Sequence, residues 1–240
     1  MQIFGITLDD FSCGAALTRC ETWLNGNSFH RIATVNPEFL LRAKEDVAFA
    51  RNLRLADLRA VDGFGIVIVS RLRGKSICRC PGADLMASLL AQAEWEHHPV
   101  FFAVRQDGLS SYEEIIQALK KKYPALIADG SVVDRHNQAS AWNDAHSKIR
   151  TSRATIVFSN FGAPEQEYFT ESLREDPGDV RLAMGVGGSF DYLTGKIVRA
   201  PHCLRAVGLE WLWRLMQQPK RFGRIWRATI VFLFRSISDR

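Results

Sequence analysis

Short apolar runs alternate with longer amphipathic stretches along most of this 240-residue chain. The short runs are rich in β-branched residues and indicate strands, and the stretches between them have the length and periodicity of helices. Strands are predicted at Gln2–Ile6, Arg31–Val35, Leu58–Val61, Ser76–Cys80, Val100–Val104, Leu126–Ala128, Thr155–Ser159 and Val180–Val186. Helices are predicted at residues 10–25, 37–51, 64–73, 83–96, 110–123, 138–150, 164–175 and 202–217. Strict alternation of this kind predicts an α/β fold with a largely parallel, Rossmann-like sheet flanked by helices.

The composition is that of an ordinary globular protein. Hydrophobic residues make up 47% of the chain and charged residues 24%, which argues against disordered, collagen-like and coiled-coil classes. The composition changes after Gln218-Pro219, where a basic, aromatic segment begins. We therefore predict an α/β domain over residues 1–200 and a helical appendage over residues 201–240.

Positive charge is concentrated near the C-terminus. The net charge is +5, and from Lys196 onward ten lysines and arginines are accompanied by only two acidic residues, Glu210 and Asp239. Such a surface suits phosphates or anionic lipid headgroups, although a solvated basic helix has the same composition. No nucleic-acid partner is expected.

The appendage carries more large apolar side chains than an exposed helix tolerates, among them Trp226 and Phe232. It must bury them against a membrane surface, the protein's own core or a second subunit of a homo-oligomer. The apolar run from Ala228 to Phe234 is far shorter than the ~20 residues of a membrane-spanning helix. The interpretation we favour is a helix that lies on the membrane surface.

The five cysteines show no metal-binding or redox spacing. The thiols of Cys78 and Cys80 alternate along a predicted strand, so buried apolar roles and a reducing compartment are expected. The N-terminal residues lack the basic and apolar regions of a signal peptide. Together these features predict a cytoplasmic protein, peripheral to the inner face of the plasma membrane.

Polar residues follow several of the predicted strands. Ligands of parallel α/β sheets bind at the carboxyl ends of the strands, so these residues should meet at one edge. Thr34 and Asn36 alternate off one strand and point the same way, towards a sugar or ribose. Asp62 follows another strand and precedes a glycine turn, where a carboxylate can act as a general base. A helix-capping role explains Asn36 and Asp62 as well.

Four further positions suit a polar, negatively charged ligand. Arg79 precedes a strand-to-helix turn, where a guanidinium can bind a diphosphate, although a surface arginine has the same pattern. Gln166 can exchange hydrogen bonds with sugar hydroxyls or uracil. Gly187 lies in a glycine turn, and Asp191 follows it. This turn lacks the G-x-G-x-x-G spacing, so it is weak evidence for a nicotinamide cofactor.

Several catalytic motifs are absent from the sequence. There is no P-loop, G-x-S-x-G or H-E-x-x-H pattern, and no D-x-D motif of the kind that holds a metal on a nucleotide diphosphate. We therefore expect no metal and no cofactor. A leaving diphosphate would need protein cations instead, and three appendage residues are the candidates: Arg214, Arg221 and Arg224.

These motifs, in order along nearly the whole chain, resemble those of the WecB/TagA/CpsF glycosyltransferases, glycosyltransferase family 26. The matching patterns are T-x-N-x-E at 34–38, A-D-L-x-x-x-D-G-x-G at 56–65, R-x-x-G-x-D-L at 79–85, Y-P at 123–124, G-x-P-x-Q-E at 162–167, G-V-G-x-x-F-D-x-x-x-G-K-x-x-R-A-P at 185–201 and G-L-E-W-x-x-R-L-x-x-x-P-x-R at 208–221. The resemblance implies an inverting, metal-independent enzyme of bacterial surface polysaccharide synthesis. It would move a sugar, often N-acetylmannosamine or its uronic acid, from a UDP donor to an undecaprenyl-diphosphate-linked saccharide.

The resemblance also implies residue roles. Asp62 would deprotonate the acceptor hydroxyl, with Thr34 and Asn36 positioning the sugar and the base. Arg79 and Gln166 would contact the donor, and the appendage would bind the membrane and close the active site. Departing UDP would be stabilised by the three arginines Arg214, Arg221 and Arg224.

Three other functions are compatible with parts of this pattern. One is a glucosyl- or uronosyltransferase of exopolysaccharide assembly, and another is a catalytically silent scaffold that binds a nucleotide-sugar at the membrane. A Rossmann-type oxidoreductase has the least support. A binding module has no need of a base, so Asp62 together with Thr34, Asn36 and Gln166 favours an enzyme.

Overall fold

A computed structural model describes residues 1–134, 138–206, 208–219 and 222–238. Within them lies a six-stranded sheet in which every neighbouring pair is parallel, in the order β4-β3-β8-β7-β5-β6. Its strands are β3 (His30–Val35), β4 (Leu58–Val61), β5 (Val100–Arg105), β6 (Ala128–Val133), β7 (Ile156–Ser159) and β8 (Leu182–Gly185). A small antiparallel hairpin of β1 (Gln2–Ile3) and β2 (Ile6–Thr7) precedes it. The predicted α/β fold with a parallel sheet is confirmed.

Helices cover both faces of this sheet. In chain order they are α1 (Cys13–Leu24), α2 (Pro37–Glu45), α3 (Val47–Arg54), α4 (Phe64–Leu72), α5 (Gly82–Trp95), α6 (Tyr112–Lys122), α7 (Gln138–Thr151), α8 (Glu165–Ser172), α9 (Ser189–Leu193), α10 (His202–Ala206), α11 (Glu210–Gln217), α12 (Phe222–Trp226) and α13 (Phe232–Ile237). A π-helical segment, Arg227–Val231, connects the last two.

Five of the strands, β3, β4, β5, β7 and β8, are buried on both faces along most of their length, which explains their nearly continuous apolar character, whereas the edge strand β6 is partly exposed. In β5, Phe102 packs with α1, α5 and α6, whereas its neighbour Phe101 packs with α7 and α8 on the opposite face. A third cluster joins α2, α3 and α4 to the β1–β2 hairpin and to Phe232 of α13. The sheet is therefore a rigid platform whose carboxyl edge is left for the loops.

Three strand predictions were wrong in extent or in kind. The run Gln2–Ile6 is a hairpin, because Phe4 and Gly5 adopt positive φ angles of 49° and 73° and reverse the chain. The run Ser76–Cys80 forms no strand; only the Cys80 amide hydrogen-bonds to the neighbouring sheet edge, at the Val61 carbonyl. Strand β6 runs over residues 128–133, beyond the predicted 126–128, because it pairs with β5 along its whole length.

Two predicted helices are each divided in two. The helix predicted at 37–51 breaks at Asp46, whose extended backbone and side chain cap the start of α3. The helix predicted at 202–217 is interrupted at Gly208, which has a φ of +78°. The short helix α9 was not predicted, because its five residues are too few to show a helical period.

The prediction of buried cysteines is confirmed for Cys20 and Cys80 and is wrong for Cys78 and Cys203, and no disulfide was predicted. Cys13 and Cys80 form a disulfide, since the start of α1 packs beside the start of α5 and brings their Cα atoms to 4.7 Å. Cys78 and Cys203 are exposed. Cys20 is buried as expected, and burial raises the pKa of its thiol to about 12.

The C-terminal segment has one docked face and one exposed face. Phe232 is fully buried in the third cluster, with its ring edge-on to Phe4 at 6.2 Å. The other face exposes large apolar side chains three or four residues apart: Phe222, Trp226, Ile230, Phe234 and Ile237. Among the described residues, no helix combines the length and hydropathy needed to cross a membrane. Core docking thus accounts for one face of the segment only.

Candidate active site

A cavity of about 800 Å³ opens at the carboxyl edge of the sheet, where β3, β4, β7 and β8 end. Eight of the ten predicted site residues line it: Thr34, Asn36, Asp62, Arg79, Gln166, Gly187, Asp191 and Arg214. The other two are not placed, because Arg221 and the side chain of Arg224 lie outside the described part of the chain. The sheet thus brings together residues that are up to 180 positions apart in the sequence.

Asp62 lies directly after β4, where its backbone N–H still bonds to Val35 of β3 at 2.9 Å. Its carboxylate accepts a hydrogen bond from the Gly82 N–H at the start of α5. Burial raises the pKa of Asp62 to about 6; Arg79 opposes this rise and the carboxylate of Glu210 adds to it. A carboxylate with a raised pKa is a better base than a fully solvated one and is still ionised at pH 7.

Thr34, in β3, and Asn36, directly after its last residue, line the same cavity as Asp62. The Thr34 hydroxyl, almost fully buried, donates to the carbonyl of Gly185 at 3.4 Å and so joins β3 to the end of β8. The Asn36 Oδ1 accepts from the Phe39 N–H at 3.1 Å and caps α2. The alternative capping role of Asn36 is therefore real, and its Nδ2 remains available to a ligand because Asn36 also lines the cavity.

Arg79 lies beside the base and is shared between two acceptors. Its Nε donates to the Asp62 carbonyl at 2.6 Å, and its Nη2 bonds to Glu210 Oε2 at 2.8 Å. Arg199 approaches the same Glu210 carboxylate at 3.7 Å and also pairs with Asp84 of α5. This ion-pair network connects the first turn of α11 to the base.

Two arginines present unpaired nitrogen atoms at the cavity. Within the described residues, Nε of Arg214 and both Nε and Nη2 of Arg199 are buried without a hydrogen-bond partner. Both guanidinium groups lie over the ring of Tyr192, at 5.5 and 6.0 Å from its centroid. Both side chains line the cavity and give its wall a positive charge, which suits an anionic ligand.

Gln166 joins the turns that follow β7 and β8. Its Oε1 accepts from the backbone N–H groups of Gly162 and Gly187, each at 3.1 Å. Both glycines have positive φ angles, +81° and +50°. The glycine turn after β8 is thus held by the side chain of Gln166, in the first turn of α8.

Asp191 is buried and connects α9 to the loop that contains Ser110. Its Oδ1 accepts from Ser110 Oγ at 2.9 Å, and Ser110 in turn contacts Thr194 Oγ1 at 2.7 Å. A hydrogen bond from the Arg105 amide to Asn160, 2.7 Å long, joins the ends of β5 and β7 in a similar way. These contacts fix the loops that form the cavity wall.

Three further residues of the cavity, Glu210, Arg199 and Tyr192, were given no role from the sequence. All three lie within the motifs at residues 185–221, so the pattern contained the signal. The pattern could not show that Glu210 and Arg79 are in contact, because they are 131 residues apart in the sequence. Only the packing of α11 against the sheet edge brings these two charges together.

The cavity combines the carboxylate of Asp62 with a wall of arginine side chains. A carboxylate of this kind can accept a proton from a hydroxyl nucleophile, and arginines such as Arg79, Arg199 and Arg214 can stabilise a developing negative charge on a phosphate leaving group. These are the elements required for group transfer from a phosphorylated donor to a hydroxyl.

Comparison with known proteins identifies the class of enzyme. The chain is 35% identical over 209 residues, 85% of its length and 77% of the relative's, to an N-acetylglucosaminyldiphosphoundecaprenol N-acetyl-beta-D-mannosaminyltransferase from Bacillus spizizenii. The sequence model of the Glycosyl transferase WecG/TagA/CpsF family matches residues 1–240, the whole chain. This protein therefore belongs to the WecG/TagA/CpsF family and is a glycosyltransferase.

Proposed function

We propose that this enzyme transfers an N-acetylmannosamine-type sugar from a UDP donor to a saccharide linked to undecaprenyl diphosphate, in a single inverting displacement that needs no metal. The observation that carries the proposal is the placement of Asp62, with its raised pKa, in the same cavity as three arginines. The acceptor and the sugar are those named for the Bacillus spizizenii relative. The product would serve in bacterial surface polysaccharide synthesis.

In the proposed reaction, the acceptor hydroxyl oxygen attacks the anomeric carbon of the donor sugar. Its proton passes to the carboxylate of Asp62 as the bond from the anomeric carbon to the UDP oxygen breaks. Attack on the face opposite the leaving group inverts the anomeric configuration. Thr34, on β3, and Asn36, directly after that strand, line the cavity with Asp62 and in this proposal orient the sugar.

The leaving UDP takes the bonding electron pair and gains negative charge. Arg214 and Arg199 line the cavity and have N–H groups without hydrogen-bond partners among the described residues, and Arg79 donates to the Asp62 carbonyl and to Glu210. Guanidinium groups stabilise diphosphate charge through paired hydrogen bonds. In this proposal they do the work that a metal ion performs in other glycosyltransferases, together with Arg221 and Arg224 of the appendage.

The lipid-linked acceptor requires an enzyme that works at a membrane surface. The exposed apolar stripe of the C-terminal segment, flanked by Arg227 and Arg235, has the amphipathic character of an interfacial helix. We infer that this stripe holds the enzyme at the cytoplasmic face of the membrane. The cavity then faces acceptors whose lipid chains remain in the bilayer.

The test is UDP release from a panel of UDP-sugars with a synthetic polyprenyl-diphosphate-linked acceptor. Acceptor-dependent turnover is expected with one donor class, and Asp62→Asn should lower it by about 10²-fold or more. Asp129→Asn, on the exposed side of β6, is the control and should retain full turnover. Equal turnover in wild type and Asp62→Asn would refute the assignment of the base, and UDP binding without turnover on any donor would favour the silent scaffold.

A further inference from the structure

The amide group of Gln166 has a defined orientation because its two ends meet opposite partners. Its Oε1 faces two donors, the N–H groups of Gly162 and Gly187, at 3.1 Å each. Its Nε2 faces an acceptor, Glu167 Oε1, also at 3.1 Å. A flipped amide would place N–H against N–H on one side and oxygen against carboxylate on the other.

Glu167 is held in turn by Arg31. The second carboxylate oxygen of Glu167 accepts from Arg31 Nη1 at 2.8 Å, and neither side chain is accessible to solvent. Arg31 also bonds to the Asn52 carbonyl and, through Nε, to Glu171 at 2.7 Å. Burial raises the pKa of Glu167, and Arg31 opposes that rise. The chain of contacts therefore runs from Arg31 on β3, through Glu167 on α8, to Gln166 at the cavity wall.

The same side chain also fills the space behind the glycine turn. A Cβ atom added to Gly185 would lie 2.5 Å from Gln166 Nε2, so the turn and the amide are packed in direct contact. Gln166 is 3% exposed. Its position is consequently set by Glu167 and by the turns, with little freedom of its own.

We propose that Glu167 and Arg31 are positioning residues of the active site. They orient the amide of Gln166, which then holds the turns after β7 and β8 in the conformation that forms the donor side of the cavity. The identity of the donor rests on the function proposed above, whereas the mechanical role does not.

The discriminating variant is Glu167→Gln. The new amide has a single oxygen, and the Arg31 guanidinium is the stronger partner for it. The new NH₂ group then faces Gln166, which must flip and turn its own NH₂ towards Gly162 and Gly187. We expect the backbone amides of these two glycines to exchange with deuterium about tenfold faster than in wild type.

Glu171→Gln is the matched control. Glu171 bonds to the same guanidinium at a similar distance, whereas the hydrogen bonds of the Gln166 side chain within the described residues go to Gly162, Gly187 and Glu167. Both variants remove one carboxylate from Arg31 and should lower the melting temperature by similar amounts. Only Glu167→Gln should accelerate exchange at the two glycines and raise the KM for the UDP-sugar.

The double variant Gln166→Glu/Glu167→Gln tests the orientation itself. The carboxylate at position 166 can accept from both glycine amides and from the new amide at position 167, whose oxygen then accepts from Arg31. Net charge is unchanged and every donor regains an acceptor. We expect amide exchange at Gly162 and Gly187 to return to within about twofold of wild type.

Equal exchange at the two glycines in Glu167→Gln and Glu171→Gln would overturn the proposal, as would failure of the double variant to restore protection. Hydrogen exchange on the full-length protein needs no substrate. A wild type that transfers no sugar from any UDP donor would thus contradict the proposed function while the exchange results still decide this inference.

Discussion

At the scale of single residues, the environment of Asp62 determines how the enzyme responds to pH. The groups that face it are Arg79 and Arg214, which lower its pKa, and Glu210, which raises it; burial is the largest effect, and the result is a pKa of about 6. A general base works only when deprotonated. With Asp62 proposed as the base, we predict that its protonation removes activity as the pH falls through the pKa of Asp62 in the folded enzyme.

We expect kcat/KM to be constant above about pH 7 and to fall tenfold per pH unit below about pH 6, as for a single ionisation. Glu210→Gln removes the neighbouring carboxylate and leaves the two arginines, so the midpoint should move to lower pH. Glu114→Gln, which breaks the exposed ion pair with Lys196, is the control and should leave the midpoint unchanged. Rate profiles from pH 5 to 9 provide the measurement. A midpoint near 4 in wild type, or no shift in Glu210→Gln, would contradict the assignment.

At the scale of elements, Gly208 decides where α11 lies. Its φ of +78° ends the α10 region and lets α11 start with Glu210 directed at Arg79. A Cβ atom at this position would collide with the ring of Phe64 in α4. Glycine is thus needed at position 208 for two reasons. Its backbone has a positive φ angle, and a side chain there would collide with α4.

Gly208→Ala should therefore disturb the docking of α11 and lower the free energy of unfolding by about 2 kcal/mol or more. Turnover should fall as well, since Glu210 and Arg214 would leave the cavity. Gly223→Ala provides the comparison, because Gly223 has no positive φ and nothing lies within 4 Å of an added Cβ. Denaturant unfolding and turnover on both variants give the answer. Equal behaviour of the two alanine variants would show that α11 does not depend on this turn.

At the scale of the whole molecule, the C-terminal segment packs one face against the core and exposes apolar side chains on its other face. Phe232 closes the cluster around α2, α3 and α4, while Phe222, Trp226 and Phe234 on the other side are 59%, 51% and 72% exposed. Removing the entire segment would damage the core together with the exposed stripe. Point substitutions on the exposed side separate the two functions.

We expect the full chain to float with vesicles that contain anionic lipid, and Trp226→Ser/Phe234→Ser to reduce vesicle binding by about tenfold or more, because both apolar side chains leave the interface. Trp95→Ser, an 82% exposed residue at the end of α5, is the control and should bind as wild type. Undiminished flotation of the double variant would contradict the membrane role. If sedimentation instead shows that the double variant dissociates an oligomer, the stripe is a subunit interface.

The features that were predicted correctly from the sequence are those in which burial imposes a local pattern of apolar residues. The parallel sheet follows from alternating apolar runs, because a strand buried on both faces must be continuously apolar. The convergence of Thr34, Asn36, Asp62 and Gly187 follows from the rule that the carboxyl ends of parallel strands meet at one edge. The exact ends of elements were less predictable, as at Asp46 and Ser76–Cys80, since capping and a missing strand partner are not visible as periodicity.

The fold class, the edge of the sheet at which the site lies and the residue types available there could all be predicted from the amino-acid sequence, because each depends on short-range pattern. Which charged groups meet became known from the folded chain alone. Arg31 with Glu167, Arg79 with Glu210 and Cys13 with Cys80 are separated by 136, 131 and 67 residues. A contact over such a separation leaves no local period in the chain, and it forms only because the sheet and its helices bring those segments side by side.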